Sequence, residues 1–208
     1  MNNKRIFFFI VIFYSGLLIR TAFAWDTFLL PKAVAGASAG YFRISLDDFN
    51  KIYASRWNYI YGAHVNVRVY RSYYLTLQYE KYKTDKMKQG MEFSSGNEGA
   101  PVWDEQFINV GIRMYSSSVS RWNFYSGLGL TFITVKEKLG WSVFENDPST
   151  KRRGDGFFFE LGADYIILPH VALFAEFEIT SAGEGGTPGF VGYSLGGYAF
   201  QIGIDFYY

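Results

Sequence analysis

The sequence predicts an all-β fold, an eight-stranded antiparallel up-and-down transmembrane β-barrel. Three observations carry this. Large apolar residues recur at every second position through successive segments, the mark of strands with one apolar and one polar face. Aromatic residues make up 21% of the chain, with 17 Tyr and 21 Phe. Beyond residue 24 no apolar run approaches the roughly 20 residues that a spanning helix needs. Strands can meet lipid only when closed into a barrel, where every backbone polar group is paired internally.

The chain opens with Lys4 and Arg5, an apolar run from Ile6 to Ile19, and Thr21-Ala22-Phe23-Ala24. Ala22 and Ala24 fill the small-residue positions of a signal-peptidase site, so residues 1–24 are expected to be a cleaved signal peptide. The mature chain then starts at Trp25, and residues 25–208 form one barrel domain.

The first strand, about Val34 to Ile44, is the weakest, because its Ala, Gly and Ser give neither face much moment. Trp57 to Tyr70 sets Tyr59, Tyr61, Val65, Val67 and Val69 against His64, Asn66 and Arg68. Tyr73 to Tyr82 sets Leu75, Leu77 and Tyr79 against Gln78 and Glu80. Trp103 to Tyr115 sets Ile108, Val110 and Ile112 against Asn109 and Arg113. Trp122 to Val135 sets Phe124, Leu128, Leu130 and Phe132 against Asn123, Gly127 and Gly129. Phe157 to Ile167 sets Phe157, Phe159 and Leu161 against Glu160 and Asp164. Val171 to Thr180 sets Leu173, Ala175 and Phe177 against Glu176 and Glu178. In the last strand Phe200, Ile202, Ile204, Phe206 and Tyr208 alternate with Gln201, Gly203, Asp205 and Tyr207.

The connections alternate between short (71–72, 116–120, 168–170) and long (45–56, 85–101, 137–155, 181–191). In the first long one, Phe49, Ile52 and Tyr53 follow Asp47 at helical spacing and predict one helical turn over the barrel mouth.

Gln201, Gly203, Phe206 and Tyr208 complete a polar-x-Gly-x-x-aromatic-x-aromatic pattern at the C-terminus. It resembles the signal by which bacterial outer-membrane barrels are recognised for assembly. With the alternating loop lengths, residues 25–208 are similar to the small eight-stranded outer-membrane proteins of the OmpA/OmpX-type barrel superfamily, the outer membrane protein beta-barrel domain group. The resemblance implies short periplasmic turns and long extracellular loops. It also implies export through the inner membrane, insertion by the outer-membrane barrel assembly machinery, and contact with outer-membrane lipid and lipopolysaccharide as a monomer. Larger OmpA-like proteins append a peptidoglycan-binding domain after the barrel. Here the sequence stops on the barrel strand, so that activity does not carry over.

Apolar residues should face lipid, since charge at mid-membrane costs a few kcal/mol; Lys81 is the nearest exception. Tyr73, Trp122, Tyr207 and Tyr208 are expected in a periplasmic aromatic girdle, and Trp57, Tyr59, Trp103 and Phe157 in an outer one. The inward set carries Arg68, Glu80, Arg113, Glu160, Asp164, Glu176, Glu178 and Asp205. An eight-stranded lumen is just filled by side chains, and buried charge persists only when paired, so these residues are expected to form a salt-bridged plug.

Without the signal segment, 17 basic residues face 19 acidic ones, a net −2 that offers nucleic acid no electrostatic footprint. The absence of cysteine excludes a lipoprotein anchor, disulfides and thiolate chemistry. His64 and His170 make no metal cluster, and no His-x-Ser spacing occurs. No catalytic residue, cofactor or metal is therefore assigned, and no enzyme is expected. Lys151, Arg152 and Arg153, in the third long loop, are expected near lipopolysaccharide phosphates; Arg153-Gly154-Asp155 there spells an adhesion tripeptide. Three rival readings make separate demands. A narrow porin-like channel needs a continuous water path, and a lipid-modifying barrel enzyme needs a nucleophile and base converging at a rim. A soluble calycin-type barrel needs the apolar set inside.

Overall fold

The structure, a computed structural model, describes residues 30–46, 49–86, 102–116, 121–138, 149–184 and 194–208. The signal segment, the Trp25 start and Asp47 lie outside the described residues. Eight strands and one short helix follow in chain order: β1 Ala33–Ile44, α1 Phe49–Ile52, β2 Trp57–Tyr70, β3 Tyr73–Thr84, β4 Val102–Tyr115, β5 Trp122–Lys138, β6 Ser149–Leu168, β7 Val171–Glu184 and β8 Ser194–Tyr207. Each strand pairs antiparallel with its neighbours in sequence, and β8 returns to β1 to close the barrel.

The ladder fixes the geometry. From Tyr82 the register passes through Ile60, Gly40, Gln201, Glu176, Gly162, Tyr125 and Tyr115. It re-enters β3 at Ser72, whose carbonyl accepts from the Tyr115 amide, ten residues below the start. That stagger on eight strands sets a tilt of about 40°. On β5 the outward apolar run from Trp122 to Phe132 then stands about 26 Å tall, at about 3.4 Å per residue. This matches the roughly 25 Å apolar band of a transmembrane barrel.

Alternation decides which way each side chain points. On β3, Tyr74, Thr76, Gln78, Glu80 and Tyr82 are buried, while Leu75, Leu77 and Tyr79 are about half exposed. Polar residues line the inside and large apolar ones the outside, the reverse of a calycin-type barrel. β1 pairs along its length with both β2 and β8 despite its weak composition, because two ladders outweigh strand propensity. Its small residues are needed there: a Cβ on Gly36 would strike the Asp205 carboxylate and the His64 ring. The two-residue turn between β2 and β3 places Arg71 at a φ of 48°, the left-handed conformation that tight hairpins use.

Three expectations are corrected. The segment 137–155 is not all loop: β5 runs to Lys138 and β6 begins at Ser149, so Lys151, Arg152 and Arg153 lie on a paired strand. Trp103 is not in the outer girdle, because it shares the parity of Glu105 and Asn109 and is buried inside. Tyr207 likewise turns inward, while Tyr208 remains exposed.

Candidate functional site

The interior is stacked in three tiers. At mid-barrel, Arg113 of β4 is fully buried. Its Nε donates to Glu160 Oε1 at 2.6 Å, and its Nη2 donates to Glu160 Oε2 at 2.9 Å and to Glu176 Oε2 at 2.8 Å. The Tyr125 ring lies 4.2 Å from the guanidinium carbon, and the Tyr125 hydroxyl donates to the same Glu176 oxygen at 2.8 Å. Amides complete the tier. Gln78 donates to Glu160, Gln201 donates to Glu80, and Asn109 donates to Gln78 Oε1 and to Glu178 Oε1, both at 3.1 Å.

Glu80, Glu176 and Glu178 each bring one oxygen to within 4.8 Å of the others. Two of these carboxylates, Glu160 and Glu176, thus bond the guanidinium directly, while Glu80 accepts from Gln201 and Glu178 from Asn109. Glycines make room for these groups. A Cβ at Gly127 would collide with Glu160, and one at Gly111 or Gly129, a directly opposed pair, would meet the Phe158 ring at 2.8 Å or 2.7 Å.

The tier on the short-turn side holds His64 and Asp205, with Nε2 and Oδ1 3.0 Å apart, and Asp164, which accepts from the Tyr207 hydroxyl at 2.5 Å. The rings of Tyr74 and Tyr115 pack at 4.9 Å beside them. Arg68 sits at this lower rim, away from mid-barrel. It is half-buried and donates to the Leu30 carbonyl at 2.9 Å, while the Tyr74 hydroxyl donates to the Pro31 carbonyl at 2.6 Å. The eight residues expected to form one network therefore divide. Arg113, Glu160, Glu176, Glu80 and Glu178 are brought together, Asp164 and Asp205 lie below, and Arg68 ties down the segment before β1.

The tier on the long-loop side is apolar, which strand alternation alone does not reveal. Phe42, Ile44, Ile60, Tyr82, Trp103, Phe107, Ile133, Val135 and Leu195 form one buried cluster, capped by Phe49 and Tyr53 at either end of α1. Phe49 stacks on Tyr53 at 4.4 Å and meets the Trp103 ring edge-on at 5.3 Å. Burial and the nearby Glu137 carboxylate push the Tyr53 hydroxyl pKa well up. Glu105, also missed, is buried in this tier and accepts from Trp103 Nε1 at 2.9 Å and from the Gly196 amide at 3.1 Å. Its signal was in the sequence, since its position has the parity of Phe107 and Asn109.

The outer wall is apolar between two aromatic borders. Tyr41 and Tyr59 join hydroxyls at 3.2 Å near the upper border, and Trp122 packs on Tyr165 at 4.8 Å near the lower. Lys81, the expected exception, pairs with Asp104 at 2.9 Å. Gln201 and Gly203 of the terminal pattern face inward, Gly203 beneath the Phe174 ring, and Phe206 and Tyr208 face outward.

Two Gly-x-Ser-x-Gly spellings occur, at Gly36–Gly40 and Gly192–Gly196. Such a serine acts from a strand-to-helix elbow, whereas Ser38 lies within β1 and Ser194 opens β8. The Ser38 hydroxyl donates to Gln201 Oε1 at 2.7 Å, and among the described residues no hydrogen bond joins it to His64. The site therefore holds buried charges in excess of their cation, with Arg113 Nη1 and both Asp205 oxygens left without a hydrogen-bond partner, and among the described residues no nucleophile is aligned with a base.

No family model matches the chain, and no curated protein matches it. Solved structures do. Neisserial surface protein A is similar at 14% identity and a TM-score of 0.60, over 85% of this chain and 97% of that one. Ail of Yersinia pestis, in complex with the heparin analogue sucrose octasulfate, is similar at 12% identity and 0.53, over 85% and 99%. The N-terminal β-barrel domain of Pseudomonas aeruginosa OprF is similar at 12% identity and 0.51, over 86% and 98%. The fold is that of the eight-stranded outer-membrane β-barrels.

Proposed function

We propose that the chain is an integral outer-membrane barrel with a structural or surface-interaction role, its lumen closed to solutes and its interior without catalysis. The bridge from Arg113 to Glu160 and Glu176 carries this reading, because it crosses the lumen at mid-barrel, and an apolar tier lies between it and the exterior. A porin-like channel would need water to pass both. A rim catalyst would need a nucleophile and base aligned there, which the described residues do not provide.

On this reading residues 1–24 direct export and are removed before Trp25. Gln201, Gly203, Phe206 and Tyr208 act as the signal read by the barrel assembly machinery, and the protein works as a monomer. The test is membrane fractionation followed by a heat-modifiability gel. The protein should be recovered with outer membranes, and the unboiled band should migrate apart from the boiled one. Recovery as a soluble protein with no such shift contradicts the proposal.

A further inference from the structure

The mid-barrel tier carries more negative charge than its one cation answers. Glu80, Glu160, Glu176 and Glu178 are all buried, and among the described residues Arg113 is the sole buried Lys or Arg. Its bonds go to Glu160 and Glu176. Glu80 and Glu178 instead face each other, carboxyl to carboxyl, within hydrogen-bond reach. Two ionised carboxylates so placed repel, and a low-dielectric interior magnifies the repulsion. The pair therefore needs a positive group between its oxygens, either a proton or a metal cation.

Two further features favour the metal. One oxygen each from Glu80, Glu176 and Glu178 lies within 4.8 Å of the other two. Oxygens no farther apart than that can surround one ion at the roughly 2.3–2.6 Å of calcium with little movement. Asn109 is the second feature. It is fully buried, its Nδ2 stands 3.1 Å and 3.3 Å from the two Glu178 oxygens, and its Oδ1 has no hydrogen-bond partner. A half-turn of this amide exchanges its two atoms and sets Oδ1 against Glu178. Gln78 Oε1, now 3.1 Å from Asn109 Nδ2, borders the same spot. A set of carboxylate and amide oxygens suits a hard cation. Magnesium gives up its waters reluctantly, whereas calcium accepts oxygen ligands in flexible geometry, so a buried site favours calcium.

We infer that Glu80, Glu176 and Glu178, with the amide oxygens of Asn109 and Gln78, hold one calcium ion inside the barrel. The site belongs to the plug, so the inference rests on the closed-lumen reading above. Glu80 comes from β3 and the other two carboxylates from β7, on opposite walls of the closed eight-stranded barrel. The ion ties those walls together, while Arg113 secures the same tier through Glu160 and Glu176. An apolar cluster separates the tier from the long loops, so the ion enters as the strands close rather than through the finished mouth.

The experiment folds the full mature chain into phosphatidylcholine vesicles in the presence of calcium, of magnesium or of a chelator. Metal retained after gel filtration into metal-free buffer is then measured by atomic emission. Wild type should retain one calcium ion per chain and no magnesium. It should also keep its heat-modifiable migration to a higher temperature when folded with calcium than with chelator, because a ligand held only by the folded state stabilises it. Glu80→Gln and Glu178→Gln keep the shape and remove a charge. Each should fold, retain no calcium and unfold at the same temperature in either buffer. Glu105→Gln, at a buried carboxylate outside the site, should keep the ion. Wild type that retains no calcium and shows no calcium-dependent shift overturns the ion in favour of protons shared between the carboxyls. Equal retention by wild type and Glu178→Gln overturns the site. A barrel that inserts, conducts nothing and retains no calcium loses the ion and keeps the plug, whereas steady conductance removes the plug and the site together.

Discussion

Arg113 grips Glu160 through two parallel hydrogen bonds, Nε to Oε1 at 2.6 Å and Nη2 to Oε2 at 2.9 Å. The residues come from β4 and β6, two strands that do not pair with each other. The contact thus passes over Gly127 of β5, which is registered with both residues, rather than joining neighbours in one ladder. Both side chains are fully buried, so neither can recover solvation if the other is lost.

Replacing Arg113 with Ala should therefore destabilise the barrel by about 3–5 kcal/mol, the cost of leaving a buried partner charge uncompensated. Arg68→Ala should cost no more than about 1.5–3 kcal/mol, because it removes one charged hydrogen bond at the rim and strands no carboxylate. Urea unfolding of both variants in the same vesicles makes the comparison. Equal losses would contradict the separation of the two arginines.

Most of this division was not legible in the sequence. Alternation placed Arg68 and Arg113 on the same face, but height in a tilted barrel depends on stagger, which only the closed ladder supplies. The strands themselves were legible wherever an apolar face met lipid, as in Tyr73 to Tyr82. β1 was faint because its small residues serve the close approach of its neighbours and carry no apolar stripe. The apolar upper tier was hidden for a related reason. Position near a strand end makes Trp103 resemble a girdle residue, whereas its parity with Glu105 and Asn109 turns it inward. The basic run at 151–153 looked like loop because charge beyond a membrane border resembles charge in a loop, and pairing with β5 is a long-range fact.

The cap over the mouth can be removed without opening the lumen. Phe49→Ala deletes a buried ring that touches Tyr53 and Trp103, at a cost of about 3–5 kcal/mol for a core Phe. Conductance should stay at the wild-type level, because the Arg113 tier lies below. Steady current through this variant would show that α1, rather than the mid-barrel bridge, closes the pore.

Gly129→Val should cost about 1–3 kcal/mol. A side chain there would drive the Phe158 ring off the Gly111–Gly129 pair and push on the Val110 carbonyl. Thermal unfolding monitored by the loss of heat-modifiable migration reads the effect. An unchanged transition would mean that Phe158 has another place to pack.

Deleting Phe206 to Tyr208 should abolish insertion. Phe206 pairs with both Val171 and Ala35, and Tyr207 carries the hydroxyl that reaches Asp164. The seam between β1 and β8 then loses its lower end together with the proposed assembly signal. The truncated chain should be absent from outer-membrane fractions, and normal levels there would count against the role given to this terminus.

Single-channel recording of the purified protein in planar bilayers tests the closed lumen most directly. With Arg113 bridging Glu160 and Glu176 beneath a continuous apolar cluster, no steady conductance is expected from the unmodified barrel. Large, stable, reproducible current steps from that same protein would contradict the plug and establish a pore.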